Sequence, residues 1–79
     1  MSKLDAVADI KMAAIFLQKN LMGRNPEAVR SAENELARLV DRFYDENREF
    51  MSPDQYRTAR NDYDYFMILL EMAVEHYKS

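Results

Sequence analysis

The chain contains no cysteine, so neither a disulfide nor a thiolate metal site can brace it. At 79 residues a single core contributes little net stability, which leaves close helix packing or oligomerisation as the means of support. One glycine cannot build a glycine-rich phosphate loop. One glycine and two prolines also leave room for few turns, which favours long regular elements. The single histidine, His76, stands beside Glu75 near the end of the sequence. Asp41 and Asp45 lie one helical turn apart with no histidine to help them, so they read as a solvated charge cluster, and neither a metal nor a cofactor is expected. Ser2, Ser31, Ser52 and Thr58 have no histidine–acid partners nearby in sequence, and Ser79 is the last residue. No catalytic residue is singled out, and the expectation is a protein that is not an enzyme.

Long apolar runs are missing as well. The uncharged stretch Met12–Leu17 falls far short of the ~20 residues that a membrane span requires. The opening Met1-Ser-Lys-Leu-Asp5 passes straight into charged amphipathic sequence, without the pattern of a signal peptide. A cytoplasmic protein with no membrane partner is expected.

What is present describes a folded, helical chain. Hydrophobic residues make up 48% and charged residues 32%, well outside the composition of a disordered segment. The net charge of −3 is unevenly placed, because nine of the fourteen acidic residues lie beyond position 40. Three helix starts are marked by capping chemistry. Ser2 precedes Lys3-Leu4-Asp5 in the Ser-x-x-acid pattern. Asn25-Pro26-Glu27 sets a capping side chain before a first-turn proline and an acid. Ser52-Pro53-Asp54-Gln55 repeats that arrangement and adds Gln55 as a capping-box partner, with Met51 and Tyr56 spaced as a hydrophobic staple. Gly23 stands where a helix C-terminus favours positive φ. These signals predict helices near 3–21, 26–48 and 53–77. The short connections predict an all-α fold of three long helices in an up-down-up antiparallel bundle, with dimerisation as a means of completing its core.

The apolar residues follow helical spacing. In the middle helix Val29, Ala32, Leu36, Leu39, Val40, Phe43 and Phe50 form one stripe, opposite charged residues from Arg30 to Glu49. The outer helices carry more apolar surface than one stripe needs. Helix one has Val7, Ile10, Ala14, Leu17 and Leu21 on its core side, and Met12, Ile15 and Phe16 elsewhere. Helix three has Tyr56, Ala59, Tyr63, Phe66, Leu70, Ala73 and Tyr77 on one stripe, and Tyr65, Ile68, Leu69 and Met72 on a second that His76 extends. The alternating Asp62-Tyr63-Asp64-Tyr65 resembles a strand, but its position inside the third helix reads as helical, with no breaker before Tyr77. The surplus has two readings. One is a broad core shared among three helices. The other is a protein interface formed by Met12, Ile15, Phe16, Tyr65, Ile68 and Met72, serving a partner or a homodimer.

Two polar surfaces offer further readings. Gln55, Arg57, Arg60 and Asn61 at the front of helix three are side-chain types that read base edges, as a recognition helix would. Against DNA contact stand the long helices, the acids Asp62, Asp64, Glu71 and Glu75, and the option that Arg57 and Arg60 pair with nearby carboxylates. Asp41, Asp45, Glu46, Glu49, Asp54, Asp62 and Asp64 form an acidic set that suits a basic, nucleic-acid-binding groove on another protein, or a solubilising face. The sequence therefore points to a small acidic helical regulator, adaptor or inhibitor working by protein–protein contact; compact chains of this kind are common among phage- and mobile-element-type modulators. The alternatives are a DNA-binding transcriptional regulator and a self-associating structural subunit.

Overall fold

The computed structural model describes residues 2–23 and 25–79, and its regular structure is entirely helical: α1 (Lys3–Leu21), α2 (Pro26–Glu46), α3 (Pro53–Asn61) and α4 (Tyr63–Lys78). The starts follow the capping chemistry. The Ser2 hydroxyl accepts from the Asp5 amide at 3.1 Å, and Asn25 Oδ1 accepts from the Glu27 amide at 2.9 Å. Ser52 and Gln55 form a reciprocal capping box, with both bonds made. Met51, the apolar residue before that cap, is buried in the core.

The third helix is not continuous, so the described residues form four helices where three are predicted. Asp62 leaves the helical region at φ −141° and ψ 100°, and its carboxylate accepts from the Tyr65 amide at 3.1 Å as the N-cap of α4. The break costs the apolar face little. Ala59, Phe66, Leu70 and Ala73 remain buried on either side of it, with Tyr63 half-buried between them.

Two smaller expectations also change. α2 ends at Glu46, two residues early, because Asn47 turns the chain. Its side-chain amide donates to the Phe43 carbonyl at 3.1 Å, and its own carbonyl accepts from the Phe50 and Met51 amides. Gly23 does not adopt positive φ, and the C-cap of α1 is Met22. The glycine is explained by a close approach instead, since a Cβ there would lie 3.2 Å from the Asn20 carbonyl oxygen.

All four helices contribute to one core. Val7, Ile10, Ala14 and Leu17 of α1 meet Ala32, Leu36, Leu39, Val40 and Phe43 of α2 and Phe66, Leu69, Leu70 and Ala73 of α4, with Ala59 supplied by α3. At its centre Phe43 meets Phe66 edge-on at 5.9 Å between ring centroids, and Phe50 at 6.3 Å. Leu69 belongs to this core at 2% exposure, not to an outward stripe with Ile68 and Met72. α4 contributes a wide arc to the core, from Leu69 through Phe66 to Leu70, because it packs against α1, α3 and the Phe43 ring.

Polar bonds tie the helix ends together. The Tyr63 hydroxyl donates to the Ala14 carbonyl at 2.9 Å. The Tyr77 hydroxyl lies 2.8 Å from Oδ1 of the buried Asn47 and 2.9 Å from the Glu49 carboxylate, which share its one proton. The Asn47 side-chain amide nitrogen is used by the Phe43 carbonyl. Lys3 reaches across to the Glu46 carbonyl and to the Glu49 carboxylate.

Candidate functional site

One outward-facing apolar side chain is ordinary on a protein surface, but several grouped on a helix face mark a candidate contact surface. Five of the six residues predicted as an interface face outward: Phe16 is 70% exposed, Met12 56%, Ile68 55%, Met72 54% and Ile15 43%. Tyr65, the sixth, is half-buried and packs against the core cluster. On α1, Met12, Ile15 and Phe16 fall away from the stripe of Val7, Ile10, Ala14 and Leu17. On α4, Ile68 and Met72 stand one turn apart on the side away from Phe66 and Leu70. Met22 is also outward, at 78% exposure, and was missed because it lies beyond the regular spacing of α1, at its C-cap.

Beside Met72 an open hollow of about 570 Å³ is lined by Phe50, Glu71, Met72, Glu75, His76 and Ser79. Its wall is aromatic: the rings of Phe50 and His76 lie 5.6 Å apart, and Phe50 also meets Tyr77 at 6.4 Å. The turn after α2 brings Phe50 against the last turns of α4. Sequence reasoning placed Phe50 on the core stripe of the middle helix and therefore did not associate it with His76. A second hollow, of about 580 Å³, is lined by Leu21, Leu36 and Tyr63 and by the polar Glu33, Asn34 and Arg60.

Most of the predicted acidic set is engaged within the molecule. Asp41 accepts from the Tyr56 hydroxyl at 2.7 Å and from Arg60 at 2.9 and 3.2 Å. Partial burial pushes the Asp41 carboxyl up, but the Tyr56 hydroxyl and the Arg60 guanidinium together hold it below the usual carboxylate range. Asp45 pairs with Arg48 at 3.3 Å, Glu46 with Arg42 at 3.1 Å and Asp54 with Arg57. Asp62 is spent on its cap. Glu49 is bonded by Lys3 and by the Tyr77 hydroxyl, and Lys3 above all lowers its pKa to about 2. Asp64, in the first turn of α4, is the member of the set that makes no side-chain bond among the described residues.

The predicted DNA-contact residues are occupied in the same way. Gln55 closes the capping box, and Asn61 donates to the Arg57 carbonyl at 3.2 Å. Arg57 pairs with Asp54, and Arg60 with Asp41 while its guanidinium also lies over the Tyr56 ring. Of these side chains only Arg60 ties α3 to another helix; the other three bond within α3 and its cap.

No family model, curated protein or solved structure matches this chain. Among the described residues no helix is long and apolar enough to cross a membrane.

Proposed function

We propose that this protein is a small helical binding module, a regulator, adaptor or inhibitor that acts through protein–protein contact. The observation that carries this reading is the set of large apolar side chains turned outward on α1 and α4, from Met12 to Phe16 and at Ile68 and Met72. A chain of 79 residues has few large apolar side chains to spare from its core. Methionine and aromatic residues at such positions suit adaptable recognition. Self-association is the second reading, favoured by the same side chains, since a copy of the chain would cover them as well as a partner. The internal pairing of Gln55, Arg57, Arg60 and Asn61 makes DNA contact a poorer fit.

The test is affinity capture from cells that express the protein, with Phe16→Asp and Ile68→Asp as controls. The reading expects one specific protein to be recovered with the native chain and lost with at least one variant. Light scattering that shows a concentration-dependent dimer, abolished by the same variants, would move the conclusion to self-association.

A further inference from the structure

The two outward apolar strips differ in the charges around them, and only one specifies its partner. On α1, Met12, Ile15 and Phe16 are bordered by Asp5 and Asp9 but also by Lys11 and Lys19, a mixture that favours neither sign. On α4, Asp64, Ile68, Glu71, Met72 and Glu75 are all exposed at helical spacings of four, three, one and three residues, which places them on one face. That face carries no arginine or lysine until Lys78, whose ammonium lies 3.9 Å from Glu75. Glu71 and Asp64 make no ion pair with any described residue, unlike most of the carboxylates on α2 and α3. The hollow of Phe50, Met72 and His76 opens between Glu71 and Glu75, next to the apolar pair.

We infer that the outward face of α4 is the docking site for an amphipathic helical segment of another protein. That segment presents apolar side chains flanked by lysine or arginine. Its apolar residues cover Ile68 and Met72 and enter the hollow against Phe50 and His76. Its cations meet Asp64 and Glu71, which have no ion-pair partner among the described residues, and Glu75, which Lys78 only partly offsets, so the face's negative charge disfavours an acidic or neutral competitor. The face runs about 16 Å along the helix, room for roughly three turns of a partner helix. This inference rests on the protein-contact reading above and narrows it to one face and one partner chemistry.

The test uses the full chain, immobilised, against a displayed library of random peptides of about 16 residues, enough for four helical turns. Selected peptides should be enriched in lysine and arginine beside apolar residues spaced three or four apart. Their affinity should fall at least about tenfold with Glu71→Lys/Glu75→Lys and with Ile68→Asp, a loss of about 1.4 kcal/mol or more. It should also weaken as salt is raised from about 50 to about 500 mM, because screening acts on exposed charge pairs. Phe16→Asp should leave it unchanged. Glu71 and Glu75 are exposed, and unchanged helical circular dichroism establishes that the variants fold.

Selection of peptides without basic residues, or failure to select any, overturns the inference. So does binding that survives the α4 variants. If binding is lost with Phe16→Asp instead, protein contact stands and α1 is its site. A dimer of the chain dissolved by Glu71→Lys/Glu75→Lys overturns the inference in favour of a second copy as the occupant.

Discussion

The guanidinium of Arg60 grips both carboxylate oxygens of Asp41, at 2.9 and 3.2 Å, and so fastens α3 to the C-terminal part of α2. The Tyr56 hydroxyl donates to the same carboxylate at 2.7 Å, which makes Asp41 the common acceptor for two consecutive turns of α3. A short helix of nine residues has little stability of its own, so this attachment and the buried Ala59 hold it in position. Arg60→Ala is expected to lower stability more than loss of an ordinary exposed pair, because the contact is bidentate and joins two helices. Arg57→Ala breaks only a local pair on α3 and should change stability by less than about 0.5 kcal/mol. Urea denaturation of both variants, with a double-mutant cycle of Arg60→Ala and Asp41→Ala, checks the difference. A cycle showing no coupling would remove the pair from the account.

Asp62 should matter more than an exposed aspartate ordinarily does. It caps α4 through the Tyr65 amide, and Asp62→Ala is expected to cost about 1 kcal/mol. Asp62→Asn and Asp62→Ser preserve the acceptor and should remain within a few tenths of a kcal/mol of the native chain. Equal losses for all three substitutions would show that the cap is not what the side chain contributes.

Stability should also depend on pH through the bonds at the ends of the helices. The Lys3 ammonium, the backbone and the Tyr77 hydroxyl lower Glu49 from 4.5 to about 2. Because the folded value is the lower one, this contribution is present above pH 4.5 and fades as the pH falls towards 2. Tyr77 behaves in the opposite sense. Burial, reinforced by its bond to Glu49, pushes it up from 10 to about 12, so its contribution is present below pH 10 and is lost as the pH rises through 12. Carboxylate titration by NMR should find Glu49 titrating far below 4.5, and Lys3→Ala should return it towards that value. An unchanged Glu49 titration in that variant would contradict the assignment.

The distinction between core and outward aromatics gives a further comparison. Phe66→Ala empties a fully buried site at the centre of the core and is expected to cost about 3–5 kcal/mol. For a domain of this size that is a large part of the total, and the variant should be substantially unfolded. Phe16→Ala, at a residue 70% exposed, should change stability by less than about 0.5 kcal/mol. Thermal unfolding followed by circular dichroism separates the two directly.

The helix starts were legible because a cap is local chemistry: Ser2, Asn25 and Ser52 each bond an amide within three residues. The break at Asp62 was not read, although its signal was present. Asp62-Tyr63-Asp64 repeats the plan of Asn25-Pro26-Glu27 and Ser52-Pro53-Asp54, a capping residue followed two positions later by an acid, without the proline. The apolar spacing from Ala59 through Tyr63 to Phe66 concealed it, because that periodicity continues across a one-residue interruption.

The outward residues of α1 and α4 were legible for the same reason that the core was, since helical spacing separates Met12 from Ile10 and Ile68 from Phe66. Leu69 was not, because a helix packed against several neighbours buries more than one stripe. Charge pairing was the least legible. Arg60 and Asp41 are nineteen residues apart, and only the tertiary arrangement turns a candidate base reader and a candidate acidic surface into each other's partner. Glu71 and Glu75 do not stand out in the sequence, because each is a lone acid among apolar residues, unlike the denser acidic run of α2.

The most direct test of the central claim is the hydrogen-exchange footprint of the protein within a complex captured from its own cells. The account predicts new protection in α4 from Tyr65 to Glu75, or in α1 from Met12 to Phe16, with α3 unchanged. Protection concentrated on Gln55–Asn61 instead, or failure of the chain to form any complex, would contradict it.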